Sequence, residues 1–209
     1  MQSTVVLAVR HTDVLNPRNI LYGRLPRFGL SELGLRQAER TADYLAGEPV
    51  ACIYTSPQLR ARQTARVIAR HHPGAPIRVT RSLAEVLTSA QGIPFAELGA
   101  LVNVFEPPRA KGDETIPRIF ARMHRALRRA AREYPEQTTV LVSHADPIMF
   151  LREGLKGKEL KLANMRGPDF PEKGSVTRFE FAPGETLPRI TYVDPSRIPA
   201  SPPLVEASR

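Results

Sequence analysis

A three-layer α/β/α sandwich with a mostly parallel central sheet and an antiparallel edge is the fold this sequence predicts. Three observations carry that expectation. Short, β-branched-rich apolar runs alternate with stretches whose apolar residues recur every three or four positions, in the order β-α-β-α-β-α-β. Two of the runs, Thr4–Val9 and Thr138–Ser143, are nearly unbroken in apolar or β-branched residues, as strands covered on both faces require. Two late runs, Val176–Phe181 and Arg189–Val193, are joined through Pro183-Gly184, which suits an antiparallel pair at one edge. The chain has 209 residues, enough for one such domain over residues 1–194. A proline-rich tail, 195–209, is expected to be poorly ordered.

The first strand, Thr4–Val9, hands over to Arg10, His11 and a loop containing Asn16 and Pro17. Breakers Gly23, Pro26 and Gly29 extend the loop until Ser31 caps a helix whose apolar stripe is Leu35, Ala38, Ala42 and Leu45. Gly47 and Pro49 end it, and Ala51–Thr55 forms the second strand. Ser56-Pro57 is expected to open the next helix, with serine as the cap and proline at the first helical position. Ala61, Ala65 and Ile68 make its inner stripe, flanked by Leu59 and Val67. His71-His72-Pro73-Gly74 reads as a solvated helix end. Ile77–Val79 is a third strand leading to Leu83-Ala84-Glu85-Val86.

Residues 87–113 show no strong period and are expected to form a lid or insertion with one short helix. Ile116, Ile119, Phe120, Met123, Leu127, Ala130 and Tyr134 then mark a long amphipathic helix with an arginine-rich outer face, expected to be solvated. The strand Thr138–Ser143 delivers His144, and a further helix runs from Pro147 to Leu155.

Composition narrows the partners. The net charge of +9 favours anions, but only 6% of residues are aromatic and tryptophan is absent, so a base-stacking surface has little to be built from. Nucleic acid is thereby disfavoured, which leaves a small phosphorylated substrate or inorganic phosphate among the anionic partners the charge allows. No apolar run reaches membrane-spanning length and no signal-peptide pattern opens the chain, so a cytoplasmic protein without a membrane partner is expected. Cys52, the single cysteine, lies inside an apolar run and reads as a core residue, which leaves no internal disulfide and argues against a thiolate metal cluster. The terminal strand is able to pair with a second copy across a two-fold axis, which leaves both a monomer and a homodimer open.

In open α/β sheets, chemistry lies beyond the carboxyl ends of the strands. Arg10, His11 and His144 emerge there, Arg60 lies in the first turn of the second helix, and Glu85 follows the third strand. Two guanidinium groups can neutralise a phosphoryl group through forked hydrogen bonds. One imidazole can attack phosphorus while the other stabilises charge on its oxygens, and a carboxylic acid can protonate the leaving oxygen. Such a set needs no metal and no cofactor.

Several motifs recur together in a known order: Arg10-His11 with Asn16, Leu30-Ser31-Glu32-Leu33-Gly34 with Gln37-Ala38, and the run from Ser56 to Ala65. Leu83-Ala84-Glu85, Gly112-Asp113-Glu114-Thr115 and Val142-Ser143-His144 follow. Over Val5 to Gly157 the sequence resembles the histidine phosphatase superfamily, also called phosphoglycerate mutase-like. The resemblance implies that His11 is a nucleophile forming a phosphohistidine. It makes Arg10, Arg60 and His144 the phosphate pocket, Glu85 the proton donor, and Asn16 a loop residue touching the phosphoryl group. Glu114 matches an acidic position that supports the catalytic histidine region. Thr12 and Ala145, beside the two histidines, and Arg24 in the basic loop complete the expected substrate-binding set. Thr12 and Ala145 both stand where the family commonly has glycine, and a β-branched residue beside the nucleophile narrows the backbone's freedom. A metal-independent phosphomonoesterase is expected, with a mutase or a catalytically impaired phosphate binder as alternatives.

Overall fold

The structure, a computed structural model, describes residues 2–99, 103–165 and 170–198. Its strands are β1 (Thr4–Arg10), β2 (Val50–Thr55), β3 (Ile77–Val79), β4 (Thr138–Ser143), β5 (Val176–Phe181) and β6 (Arg189–Val193). They form one six-stranded sheet in the order β3-β2-β4-β1-β5-β6. The pairs β1–β4, β2–β4 and β2–β3 are parallel, whereas β5 runs antiparallel to both β1 and β6. The expected mixed sheet with an antiparallel edge is thus the one observed.

The helices are α1 (Glu32–Leu45), α2 (Leu59–Ala69), α3 (Phe95–Leu98), α4 (Ile116–Glu133), α5 (Ala145–Leu155) and α6 (Leu162–Met165). Alternation along β1 shows how the layers divide. Val5, Leu7 and Val9 pack with Ala38, Ala42 and Leu45 of α1 and Ala61, Ala65 and Ile68 of α2. Val6 and Ala8 point to the opposite face and pack with Ile119, Met123 and Leu127 of α4 and Met149 and Phe150 of α5. Because α1 and α2 cover one face and α4 the other, the winding reverses between β1 and β4, the kind of switch point where a crevice opens.

Several boundaries differ from the sequence reading, each for a tertiary reason. Gln58, not Ser56, is the N-cap of α2, and Pro57 lies outside the helix. The Ser56 hydroxyl is instead engaged by His144 and Gln58. Helix α5 begins at Ala145 directly after His144, two residues before Pro147. Ser31 does cap α1, accepting from Gly34 N at 3.0 Å, but Leu35 and Leu59 face solvent rather than the sheet. At α1 the cause is Gly34: a β-carbon there would collide with the Asp13 carbonyl, so the helix seats its glycine against that loop and turns Leu35 outward. His72 is buried, in contrast to the solvated helix end expected of it. At the start of the stretch expected to be poorly ordered, the single turn Pro195–Arg197 packs against α1 with Pro195 buried. Residues 199–209 of that stretch lie outside the described residues.

Candidate active site

The parallel register of β1 and β4 pairs Arg10 with Ser143, so the residues that follow, His11 and His144, emerge side by side. His11 N donates to Ser143 O at 3.0 Å, and the two imidazoles meet edge-on with ring centroids 5.0 Å apart. Both histidines are buried.

Arg60, fully buried in the first turn of α2, lies between them. Its Nε donates to His11 Nε2 at 3.1 Å, and its Nη2 donates to the Gly23 carbonyl at 2.8 Å and faces His144 Nδ1 at 3.1 Å. The Tyr22 ring backs the guanidinium at 4.5 Å and stacks in turn on Phe28. Arg10 donates through Nη1 to the Pro171 carbonyl at 2.6 Å. Two buried donors, Arg10 Nε and Arg60 Nη1, have no hydrogen-bond partner among the described residues. A buried guanidinium N–H without an acceptor is costly, and an anion in the crevice would supply one.

The hydrogen bonds also assign the tautomers. His11 Nδ1 lies 2.8 Å from the Thr12 carbonyl, which can only accept. Nδ1 therefore carries the proton and Nε2 the lone pair. The Ser56 hydroxyl donates to Gln58 Oε1 and so accepts from His144 Nε2 at 2.7 Å, which leaves the His144 lone pair on Nδ1 facing Arg60. Burial holds both imidazoles well below the usual histidine range, and the Arg60 charge beside each lowers them further. His11 is a neutral nitrogen base at neutral pH.

Glu85 follows the single turn Arg81–Leu83 and reaches the same opening. Its Oε2 is 3.4 Å from His144 Nδ1 and 3.6 Å from Arg60 Nη2, while Oε1 accepts from Val86 N at 2.9 Å. Burial pushes this carboxyl above the ordinary glutamate value, the Asp146 charge adds to the rise, and Arg60 opposes it.

The remaining sequence candidates have different surroundings. The Asn16 amide is committed to its own loop, donating to Ile20 O at 2.9 Å and accepting from Ile20 N at 3.3 Å. Arg24 donates through Nε to the Glu85 carbonyl at 2.6 Å and through Nη2 to Glu114 at 2.8 Å. Ala145 opens α5 and is buried. Thr12 is fully buried, with its hydroxyl toward Thr64 Oγ1 at 3.4 Å. Its methyl lies against Gly174, where a β-carbon would come within 3.3 Å of it. Tyr22, Gly23, Ser56, Gln58 and Arg122 were not assigned to the site from the sequence, where Gly23 and Ser56 read only as a loop breaker and a helix cap. Each acts through a contact with a distant residue that no local spacing announces.

His11, Glu85 and His144 offer donor atoms that all lie within 4.8 Å of one another, a spacing a metal ion could use. The lone pairs of both histidines, however, face the Arg60 guanidinium, so a dication would have to settle against a buried fixed cation.

The sheet thus reverses its winding between β1 and β4 and gathers paired histidines, a buried arginine and a raised carboxyl at that point. Residues 6–191 match the histidine phosphatase superfamily (branch 1), and the chain belongs to that family. An uncharacterised protein of Mycobacterium tuberculosis is 34% identical over 169 residues, which span 76% of this chain and 82% of the relative. Among solved structures, Bacillus stearothermophilus YhfR is similar at a TM-score of 0.77 and 22% identity, covering 86% of this chain and 92% of the other. A phosphoserine phosphatase from Entamoeba histolytica, solved with 3-phosphoglyceric acid, is similar at a TM-score of 0.73 and 23% identity, covering 91% and 95%. These two likenesses are of fold. No helix among the described residues is long and apolar enough to cross a membrane.

Proposed function

We propose that the protein is a phosphomonoesterase that works through a phosphohistidine on His11, without a metal ion, on a small phosphorylated metabolite. The observation that carries the reading is the buried Nε2 lone pair of His11 beside two guanidinium groups that each retain a donor with no partner among the described residues. In the first step the lone pair forms an N–P bond as the bond from phosphorus to the ester oxygen breaks. The Glu85 carboxylic acid gives its proton to the departing oxygen, which leaves as an alcohol. In the second step the Glu85 carboxylate takes a proton from water, the oxygen attacks phosphorus, and the N–P bond breaks to release phosphate. Arg10 and Arg60 hold the negative charge throughout. The Thr12 side chain is directed at Thr64 and Gly174, which supports the hydrolytic reading over an impaired phosphate binder. The phosphatase named among the structural neighbours supports the hydrolytic outcome.

Hydrolysis of 4-nitrophenyl phosphate in excess chelator, wild type against His11→Ala, tests the proposal. Turnover that survives chelation and vanishes in the variant is the expected result. Activity that disappears with the chelator and returns with a divalent cation would overturn it.

A further inference from the structure

Glu114 lies at the neck of the 87–113 excursion, and its surroundings give it a role distinct from support of the histidines. Its carboxylate accepts four N–H groups. Arg24 Nη2 donates at 2.8 Å, Arg122 Nε at 2.9 Å, Arg122 Nη2 at 3.2 Å and Leu87 N at 2.9 Å. Three of them converge on Oε2 and the fourth binds Oε1. Both arginines also reach the main chain of Glu85: its carbonyl accepts from Arg24 Nε at 2.6 Å and from Arg122 Nη2 at 3.4 Å. Arg122 Nη1 holds the Ser82 carbonyl at 2.9 Å, three residues before Glu85. On the far side, Glu114 N donates to Leu87 O at 2.8 Å, and Asp113 binds Ser89 N at 2.7 Å and Ser89 Oγ at 2.9 Å. The segment carrying Glu85 is thus pinned before, at and after that residue, while Glu85 Oε2 still faces Arg60 and His144.

We infer that Glu114, with Arg24 and Arg122, is a positioning device for the main chain of Glu85, and so for the proton delivered to the leaving group. The inference rests on the phosphomonoesterase reading. Arg24 and Arg122 converge on one peptide carbonyl, an arrangement two cations hold only with an anion between them. Removing that anion drives the guanidinium groups apart and releases the peptide of Glu85. A proton donor must come within hydrogen-bond reach of the oxygen it protonates, and a misplacement of about 1 Å is enough to cost on the order of a hundredfold in rate. Neither the His11–Thr12 hydrogen bond nor the Arg60 contacts include Glu114, so attack on phosphorus itself is preserved.

Leaving-group dependence of kcat/KM, which reports on phosphoryl transfer to His11, separates this role from general support of the fold. Glycerol 2-phosphate needs a proton on its departing oxygen, whereas 4-nitrophenolate departs without one. Glu114→Gln is expected to lower kcat/KM for glycerol 2-phosphate by about a hundredfold and for 4-nitrophenyl phosphate by less than about fivefold. Arg24→Lys, which keeps the charge but cannot bridge both acceptors, should show the same asymmetry more weakly. The double variant Glu85→Gln/Glu114→Gln should be no slower than Glu85→Gln alone, because Glu114 acts through Glu85. Equal losses on both substrates, or additive losses in the double variant, would overturn the inference while leaving the phosphomonoesterase reading intact. A His11→Ala control as active as wild type would instead sink that underlying reading.

Discussion

Replacing Arg60 with methionine should abolish phosphate handling while leaving the fold standing. The side chain is fully buried, with one nitrogen on each histidine and Nη1 without a partner among the described residues, so a phosphoryl group held against His11 takes two charge-assisted hydrogen bonds from it. Bonds to charged groups contribute about 1.5–3 kcal/mol each, so losing two costs about 3–6 kcal/mol, or roughly a hundred- to ten-thousand-fold in kcat/KM. Stability responds differently. Methionine removes a buried cation whose desolvation costs several kcal/mol, but it strips a donor from the Gly23 carbonyl, from His11 Nε2 and from His144 Nδ1, about 1–3 kcal/mol each. These terms oppose one another, so Tm is expected to stay within about 5 °C of wild type. Phosphate adds a second readout. At about a hundred times its Kd it stabilises the wild type by about 2.7 kcal/mol, or roughly 5–11 °C for a domain of this size, and the variant should lose that shift. Kinetics with 4-nitrophenyl phosphate and thermal melts with and without phosphate measure both. A loss in kcat/KM below about tenfold, or an undiminished phosphate shift, would refute the placement of Arg60 in the phosphate pocket.

Two further perturbations probe the histidines and the docking of α1. The folded-state pKa values of His11 and His144 lie below the ordinary 6.5, so between the two values the unfolded chain binds more protons than the native one. Stability should therefore fall as pH drops below about 6.5, and His144→Gln should flatten the dependence measured by urea unfolding between about pH 7 and 5; an unchanged slope would contradict the buried neutral imidazole. Gly34→Ala drives a methyl into the Asp13 carbonyl, two residues beyond His11, and should cost about 1–3 kcal/mol by overpacking together with measurable loss of turnover; a neutral effect on both would show that α1 has room to shift.

Much of the scaffold was legible because β1 and β4 are nearly pure apolar runs and because α1, α2 and α4 carry clean stripes. His11 and His144 stand at strand ends, and Arg60 in a helix's first turn is badly placed for dipole stability, so each drew attention on local grounds. Arg122 did not. It belongs to an arginine-rich helix face that periodicity assigns to solvent, and only the approach of Glu114 and the Glu85 carbonyl draws it inward. Ser56 misled in the opposite direction: the pair Ser56-Pro57 has the form of a helix start, yet the hydroxyl is taken by His144, contributed by a strand 88 residues further along the chain. Leu35 read as core because spacing alone does not reveal that Gly34 must occupy the closest approach. The insertion after Glu85 was visible as a loss of period. Its docking onto the 19–24 loop, through Phe95 N to Asn19 O at 3.0 Å and Leu21 N to Ile93 O at 2.8 Å, required the fold.

The central claim is a covalent bond between phosphorus and the Nε2 atom of His11, and trapping that bond tests it most directly. Wild-type enzyme mixed with radiolabelled phosphomonoester, quenched in alkali within milliseconds and digested, should carry alkali-stable, acid-labile label on the peptide containing His11. Label should be absent from His11→Ala and, with 4-nitrophenyl phosphate as the donor, whose leaving group needs no proton, should accumulate in Glu85→Gln, which lacks the base for the hydrolytic step. Turnover by wild type with no labelled histidine, or label on a residue other than His11, would contradict the account.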